Sequence, residues 1–190
     1  MHKSKSGFTV IELLVALVII AVLATILIGA YRGAQDRAKD TQTLNAVNQW
    51  TKVLQQYKVR NGTFPTVSSC LGKDYYYNID ESSATTGTGQ CRQDNATTGI
   101  LTNATFYSQI SKYLTGNPTP AMTTSANSTT SWYRGAYYYI DGANSRIDFA
   151  LTKSAGTCPA TTSGLTLNTG ANTTDGDLIC TYILGQTAGY

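Results

Sequence analysis

The chain has 190 residues, only 13% of them charged, and a formal net charge of +3. Its one histidine is His2, so beyond the second residue there is no imidazole for a serine or cysteine triad or for a metal site, and no phosphate-binding glycine loop occurs. Common catalytic designs are thereby excluded and no cofactor is called for; the polar balance rests on Thr, Ser, Asn, Gly and 13 tyrosines, as in an exported surface domain of ordinary size.

The chain opens with Met1-His2-Lys3-Ser4-Lys5-Ser6-Gly7, whose two lysines favour the cytoplasmic side of a membrane. Residues 13–30 then run without a charge. At about 1.5 Å per residue they span roughly 27 Å, close to the thickness of a bilayer's hydrocarbon core. Glu12 stands at the entrance of this run, where a carboxylate in hydrocarbon costs about 2.5 kcal/mol or more unless it snorkels or meets a cation. A secretory signal would carry its cleavage site after the apolar region, but the run passes through Ala30 into Tyr31 without one, which leaves the Gly7–Phe8 junction as the better processing point.

Residues 32–60 contain no proline, and Leu44, Val47, Trp50, Leu54 and Tyr57 recur at spacings of three and four, so the apolar helix continues as an amphipathic one. A helix from Phe8 to about Arg60 would be ~80 Å long, more than a small domain can cover. Its second half must pack on a globular part, and its first half on lipid or on copies of itself. Gly29 and Gly33 each weaken it by about 1 kcal/mol relative to alanine, which marks them as places for a bend or a locally melted turn. Six basic residues against Asp36 and Asp40 give residues 32–60 a charge of +4, while residues 61–190 carry −2. A solvated helix face beside a membrane explains the basic stretch; a DNA-binding stripe is the sharper alternative. Asn61-Gly62 and then Pro65 end the helix.

Beyond Pro65 the pattern turns to short strands. Tyr75-Tyr76-Tyr77 and Tyr137-Tyr138-Tyr139 lie in β-prone runs at 74–79 and 136–140. Asp141-Gly142-Ala143-Asn144 reads as a hairpin turn into an alternating strand at 147–151, and 178–184 is the last strand. A short helix is expected at 106–114, with the rest of 82–130 as surface loop. The expected architecture is α+β: a long N-terminal helix on an antiparallel sheet of about four strands. In such a sheet the tyrosines of a triplet alternate between faces, so packing explains them without an aromatic binding surface.

Cys70, Cys91, Cys158 and Cys180 lack the paired spacing of a zinc site, and an even count in an exported domain suggests two disulfides. Three connectivities are open; Cys70–Cys91 and Cys158–Cys180 are favoured because each closes a local, polar loop. Asp175 and Asp177 are calcium candidates, but two carboxylates fall short of the six to eight oxygens calcium takes, and a solvated turn is the simpler reading.

The leader followed by Gly7-Phe8-Thr9-Val10-Ile11-Glu12-Leu13-Leu14-Val15 resembles the class III signal of type IV pilins and type II secretion pseudopilins. That resemblance implies cleavage by a prepilin peptidase after Gly7 and methylation of the new N-terminus at Phe8. It also implies that Glu12, fifth in the mature chain, meets the terminal amine of a neighbouring copy. The run from Tyr57 to Thr66 is similar to the point where the long helix of such proteins gives way to its connecting loop, and a Cys158–Cys180 bridge would resemble their disulfide-bounded C-terminal region. Many pilins carry a helix-breaking proline where this chain has only Gly29 and Gly33.

The implied organisation is a cleaved leader (1–7), a transmembrane and filament-core helix (8–31), its amphipathic continuation (32–60) and a pilin-like head (61–190). Implied partners are copies of the chain or related subunits, the peptidase, an inner-membrane assembly platform and lipid, with DNA or a host surface outside the cell. The expected role is a pilus subunit serving adhesion, motility or DNA uptake. The alternatives are a pseudopilin of a secretion or competence system and a membrane-anchored domain that never assembles.

Overall fold

The computed structural model describes residues 9–72, 90–95, 98–121, 123–126, 132–142, 144–160, 166–172 and 176–186. The chain divides into two compact units, Met1–Asp36 and Arg37–Tyr190. Helix α1 spans Val10–Asn61 and is helical through both Gly29 and Gly33. It stops where expected: Gly62 takes φ +79°, a conformation that costs glycine little, and donates its N–H to the Lys58 carbonyl at 2.8 Å.

The second unit is built on a five-stranded sheet. Its strands in chain order are β1 (Ser69–Cys70), β6 (Ala136–Asp141), β7 (Asn144–Leu151), β8 (Thr166–Asn172) and β9 (Leu178–Gln186), arranged β1-β6-β7-β9-β8 with antiparallel pairings. Four of the five are long, and β1 is a two-residue edge. The β6–β7 hairpin turns between Asp141 and Asn144, with Gly142 at φ +58° as a tight hairpin requires.

The face of this sheet that carries Tyr138, Ile147, Phe149 and Tyr182 packs on Val47, Trp50, Val53 and Leu54 of α1. Thus the apolar stripe read from the sequence is the buried face of the helix. The same core takes Phe106 and Ile110 from α2 (Ala104–Ile110), which is followed by a 3-10 turn at Ser111–Tyr113, so the short helix forms close to its expected place. Asn103 starts α2 by accepting the Thr105 and Phe106 N–H groups on its side-chain oxygen.

Trp50, Tyr138 and Tyr107 pair their polar atoms within this core, whereas the buried Thr51 Oγ1 has no hydrogen-bond partner among the described residues. Trp50 donates Nε1–H to the Pro118 carbonyl at 2.7 Å. Tyr138 lies 2.8 Å from both the Pro65 carbonyl and Ser145 Oγ; since a carbonyl only accepts, Tyr138 donates to Pro65 and accepts from Ser145. Tyr107 shares its proton between the Cys70 and Gly72 carbonyls, and burial pushes its hydroxyl up to about 12.

A second, four-stranded sheet occupies part of the stretch expected to be surface loop. It comprises β2 (Gln90–Asn95), β3 (Thr98–Leu101), β4 (Thr124–Ala126) and β5 (Trp132–Arg134), in the order β3-β2-β5-β4. Its strands are short and polar, without the alternation that marks a half-buried strand, and two register shifts interrupt the β2–β3 pairing. The Cys70–Cys91 disulfide ties it to the first sheet. Arg92 adds to this by setting its guanidinium 4.6 Å from the ring centre of Tyr139, 5.6 Å from that of Tyr137 and 5.8 Å from that of Tyr133. The triplet alternates as expected, yet Tyr137 is also buried, because its face is covered by Cys70, Cys91 and Tyr133 rather than by water. The second disulfide joins Cys158 to Cys180. The strand expected at 74–79, with its tyrosine triplet, lies outside the described residues.

Candidate functional site

The feature that packing within the chain leaves unexplained is the first part of α1. From Val10 to Ile28, thirteen large apolar side chains are each at least half exposed, from 51% at Val15 to 81% at Val10. Fully burying an exposed side chain of this kind gains about 1.5–3 kcal/mol, so these partly exposed ones together leave on the order of 10–20 kcal/mol unrealised in water. The helix is long and apolar enough to cross a membrane, by length and composition.

Glu12 lies at the start of this surface and is held locally. The Thr9 N–H and Thr9 hydroxyl donate to Glu12 Oε2 at 2.9 and 2.7 Å, and the Glu12 N–H reaches back to Thr9 Oγ1 at 3.4 Å. This is a capping box: the side chains at the helix start satisfy amide donors that no earlier turn can reach. The Thr-x-x-Glu spacing announces it in the sequence, as a local partner for Glu12 beside snorkelling and an intermolecular cation. Glu12 Oε1 has no hydrogen-bond partner among the described residues. The site therefore has a carboxylate with one oxygen fixed and one open, in a fully exposed position beside an uncharged apolar surface.

The other expected site residues are distributed as follows. Gly7 and Phe8 lie outside the described residues. Gly29 and Gly33 are both within α1, and a Cβ added at Gly33 would meet nothing within 4 Å. Asp175 lies outside the described residues. Asp177 accepts the Lys153 N–H at 2.9 Å, bracing the 3-10 turn at Lys153–Ala155. Among the described residues no group of three or more His, Cys, Asp or Glu side chains converges as a metal site.

Two carboxylates of the second unit, Asp40 and Asp148, are buried. Asp40 accepts both the N–H and the hydroxyl of Thr152. Asp148 accepts from Thr181 Oγ1 at 2.6 Å and from Arg146 Nε at 3.1 Å. The burial of Asp40 is foreshadowed by its place four residues before Leu44 on the apolar stripe; its partner is not.

Comparison with known proteins falls on this same region. Residues 2–28 match the prokaryotic N-terminal methylation motif. The chain is 35% identical over 69 residues to the type IV wide pilus major component PilA4 of Thermus thermophilus, covering 36% of this chain and 53% of that protein. It is 29% identical over 72 residues to the type II secretion system core protein G of Dickeya chrysanthemi, covering 38% and 47%. The core protein G of Klebsiella michiganensis is also 29% identical, over 70 residues that cover 37% and 49%. The chain spans about half the length of the curated relatives it matches. No solved structure matches it.

Proposed function

We propose that the chain is a structural subunit of the type IV pilin kind. It is inserted with its N-terminus in the cytoplasm, cut between Gly7 and Phe8 by a prepilin peptidase, and methylated at Phe8. An inner-membrane assembly platform then draws it into a filament whose core is made of the apolar helices. The observation that carries this reading is the methylation motif over residues 2–28, coinciding with an exposed apolar helix that has one carboxylate, Glu12, at its start.

The physical logic is assembly rather than catalysis. Exposed apolar residues leave lipid only for an equally apolar surface, which copies of the same helix provide. Glu12 keeps one oxygen on Thr9 and offers the other to a cation, and the methylated amine of the next copy's Phe8 is a cation at the corresponding end of its own helix. Pairing in a low-dielectric core favours both charged forms and selects one register among the many that apolar packing allows.

A second reading is a pseudopilin, whose short filament acts in secretion; the relatives named core protein G favour it. The two share processing and differ in where the polymer ends up. Glu12→Ala tests what they share: the variant chain inserts and is processed, but filament yield falls at least tenfold. Normal yield from Glu12→Ala would remove the register role.

A further inference from the structure

The last residue of α1 and the glycine after it form the one Asn–Gly step in the sequence, Asn61-Gly62, and both residues are exposed. The step is chemically labile. A backbone nitrogen that follows an asparagine can close on the side-chain carboxamide carbon, and glycine, having no Cβ, hinders that approach least. Nothing lies within 4 Å of the place a Gly62 Cβ would occupy, so water and hydroxide reach the step.

Three hydrogen bonds oppose the closure. Gly62 donates its N–H to the Lys58 carbonyl at 2.8 Å, so the nitrogen that would attack is engaged in the closing turn of the helix. Asn61 Nδ2 donates to the Tyr57 carbonyl at 2.8 Å and to the Tyr113 hydroxyl at 3.1 Å, which holds the carboxamide against the preceding turn of α1 rather than over Gly62. Tyr113 is itself fixed, since its ring meets that of Tyr57 edge-on with 5.7 Å between centres. Ring closure needs a released nitrogen aligned on the carbonyl carbon at about 3–3.5 Å, and the arrangement withholds this until the three bonds break.

We propose that Asn61 is a deamidation site kept closed by the end of α1 and opened when that end frays. In the open state hydroxide takes the Gly62 amide proton, and the nitrogen attacks Asn61 Cγ. The new C–N bond closes a five-membered succinimide, the Cγ–Nδ2 bond breaks, and ammonia leaves. Water then adds to either ring carbonyl and gives aspartate or isoaspartate, so the net change is one water consumed and one ammonia released. The product does not restore the closed state: a carboxylate cannot donate to the Tyr57 carbonyl, and its charge falls at the negative end of the helix. The step thus keeps a permanent record of opening where α1 meets the 3-10 turn after α2. This goes beyond the filament reading and does not depend on it.

The test follows the full chain in neutral detergent micelles at pH 8.5 and 37 °C, with the same chain in guanidinium chloride as the open reference. Samples are digested in acid, and deamidated peptides are counted by mass spectrometry with aspartate and isoaspartate forms resolved. In the denatured chain Asn61 should react faster than any other asparagine. In the folded chain it should react at least tenfold more slowly than in the denatured one, since three bonds must open and each is worth between about two- and tenfold. Tyr113→Phe keeps the ring contact but removes one acceptor, and should speed the folded rate by the factor of one such bond. Asp40→Asn weakens the hold of α1 on Thr152 about 30 Å along the helix, and should change the rate less than twofold.

A folded rate within threefold of the denatured one overturns the proposal, as does another asparagine reacting first in the denatured chain. An unchanged rate in Tyr113→Phe, or an equal acceleration in Asp40→Asn, would show that the helix end is not what closes the site.

Discussion

Asp40 and Thr152 stand 112 residues apart in sequence and are joined by two hydrogen bonds, Thr152 N–H to Oδ1 at 2.7 Å and Thr152 Oγ1 to Oδ2 at 2.8 Å. Both residues are buried. The pair fastens α1 to the segment leaving β7 near the start of the helix's packed part, so each carboxylate oxygen has a donor without a basic residue being brought into the core.

Asp40→Ala leaves two buried donors without their acceptor and should cost about 1–3 kcal/mol for each that water cannot reach. Asp40→Asn should be milder, since Oδ1 still accepts from the Thr152 amide and the hydroxyl can turn to accept from Nδ2. Denaturant unfolding would show the midpoint falling in the order wild type, Asn, Ala with an unchanged slope. An alanine variant within about 0.5 kcal/mol of wild type would contradict the assignment.

Stability should fall at high pH through the tyrosines. Burial raises Tyr107 to about 12 and raises Tyr182 and Tyr138; burial, then the nearby Asp148 carboxylate, raises Tyr137. Between the ordinary value near 10 and the raised one, the unfolded chain loses these protons while the folded chain keeps them, so unfolding is favoured as pH rises. The contribution is complete below pH 10 and is lost progressively toward about 12 for Tyr107. Unfolding midpoints taken rapidly at pH 8, 10 and 11 should drop mainly above 10, and Tyr107→Phe should reduce that drop. A flat profile from 8 to 11 would contradict it.

The two disulfides close loops of similar length, with sequence separations of 21 and 22, so loop entropy alone gives each about 3 kcal/mol. They differ in surroundings: Cys70 and Cys91 are both fully buried, whereas Cys158 is only partly so. Cys70→Ala/Cys91→Ala should therefore lose more than Cys158→Ala/Cys180→Ala, because it also opens space beneath Tyr137 and detaches the second sheet from the first. Melting of the two variants checks the order, and equal losses would show that loop entropy is the whole effect.

Gly33→Ala meets no atom within 4 Å and replaces a poor helix former with the best, a gain of about 1 kcal/mol in helix stability. If the filament requires this turn to melt or bend, the same change should raise helical content of the unassembled chain by circular dichroism and lower filament yield. Unchanged yield would remove Gly33 from assembly.

The sequence is most legible where a regular period meets a strong signal. Leu44, Val47, Trp50, Leu54 and Tyr57 disclose the packed face of α1 because a helix repeats every 3.6 residues; Gly62 discloses its end. The β6–β7 hairpin is visible in Gly142, and β9 in its apolar run. The second sheet is not visible, since Gln90–Asn95 and Trp132–Arg134 are strands through backbone pairing, a disulfide and the stacking of Arg92, none of which leaves an alternating pattern. Asp148 lies in the strand that the alternation at 147–151 discloses; what local sequence does not reveal is that its position is buried. At the candidate site, Glu12 is conspicuous as a charge bordering an apolar run. Thr9 is conspicuous only to a reader who tests the first turn for a capping box.

The most direct test is N-terminal mass spectrometry of the protein in filaments sheared from intact cells, set beside the membrane fraction. The account predicts a peptide beginning at methylated Phe8 and abundant in the sheared filaments; the same peptide confined to membranes would favour the pseudopilin reading. An intact Met1 leader in both fractions would contradict processing and, with it, assembly through the freed end of the helix.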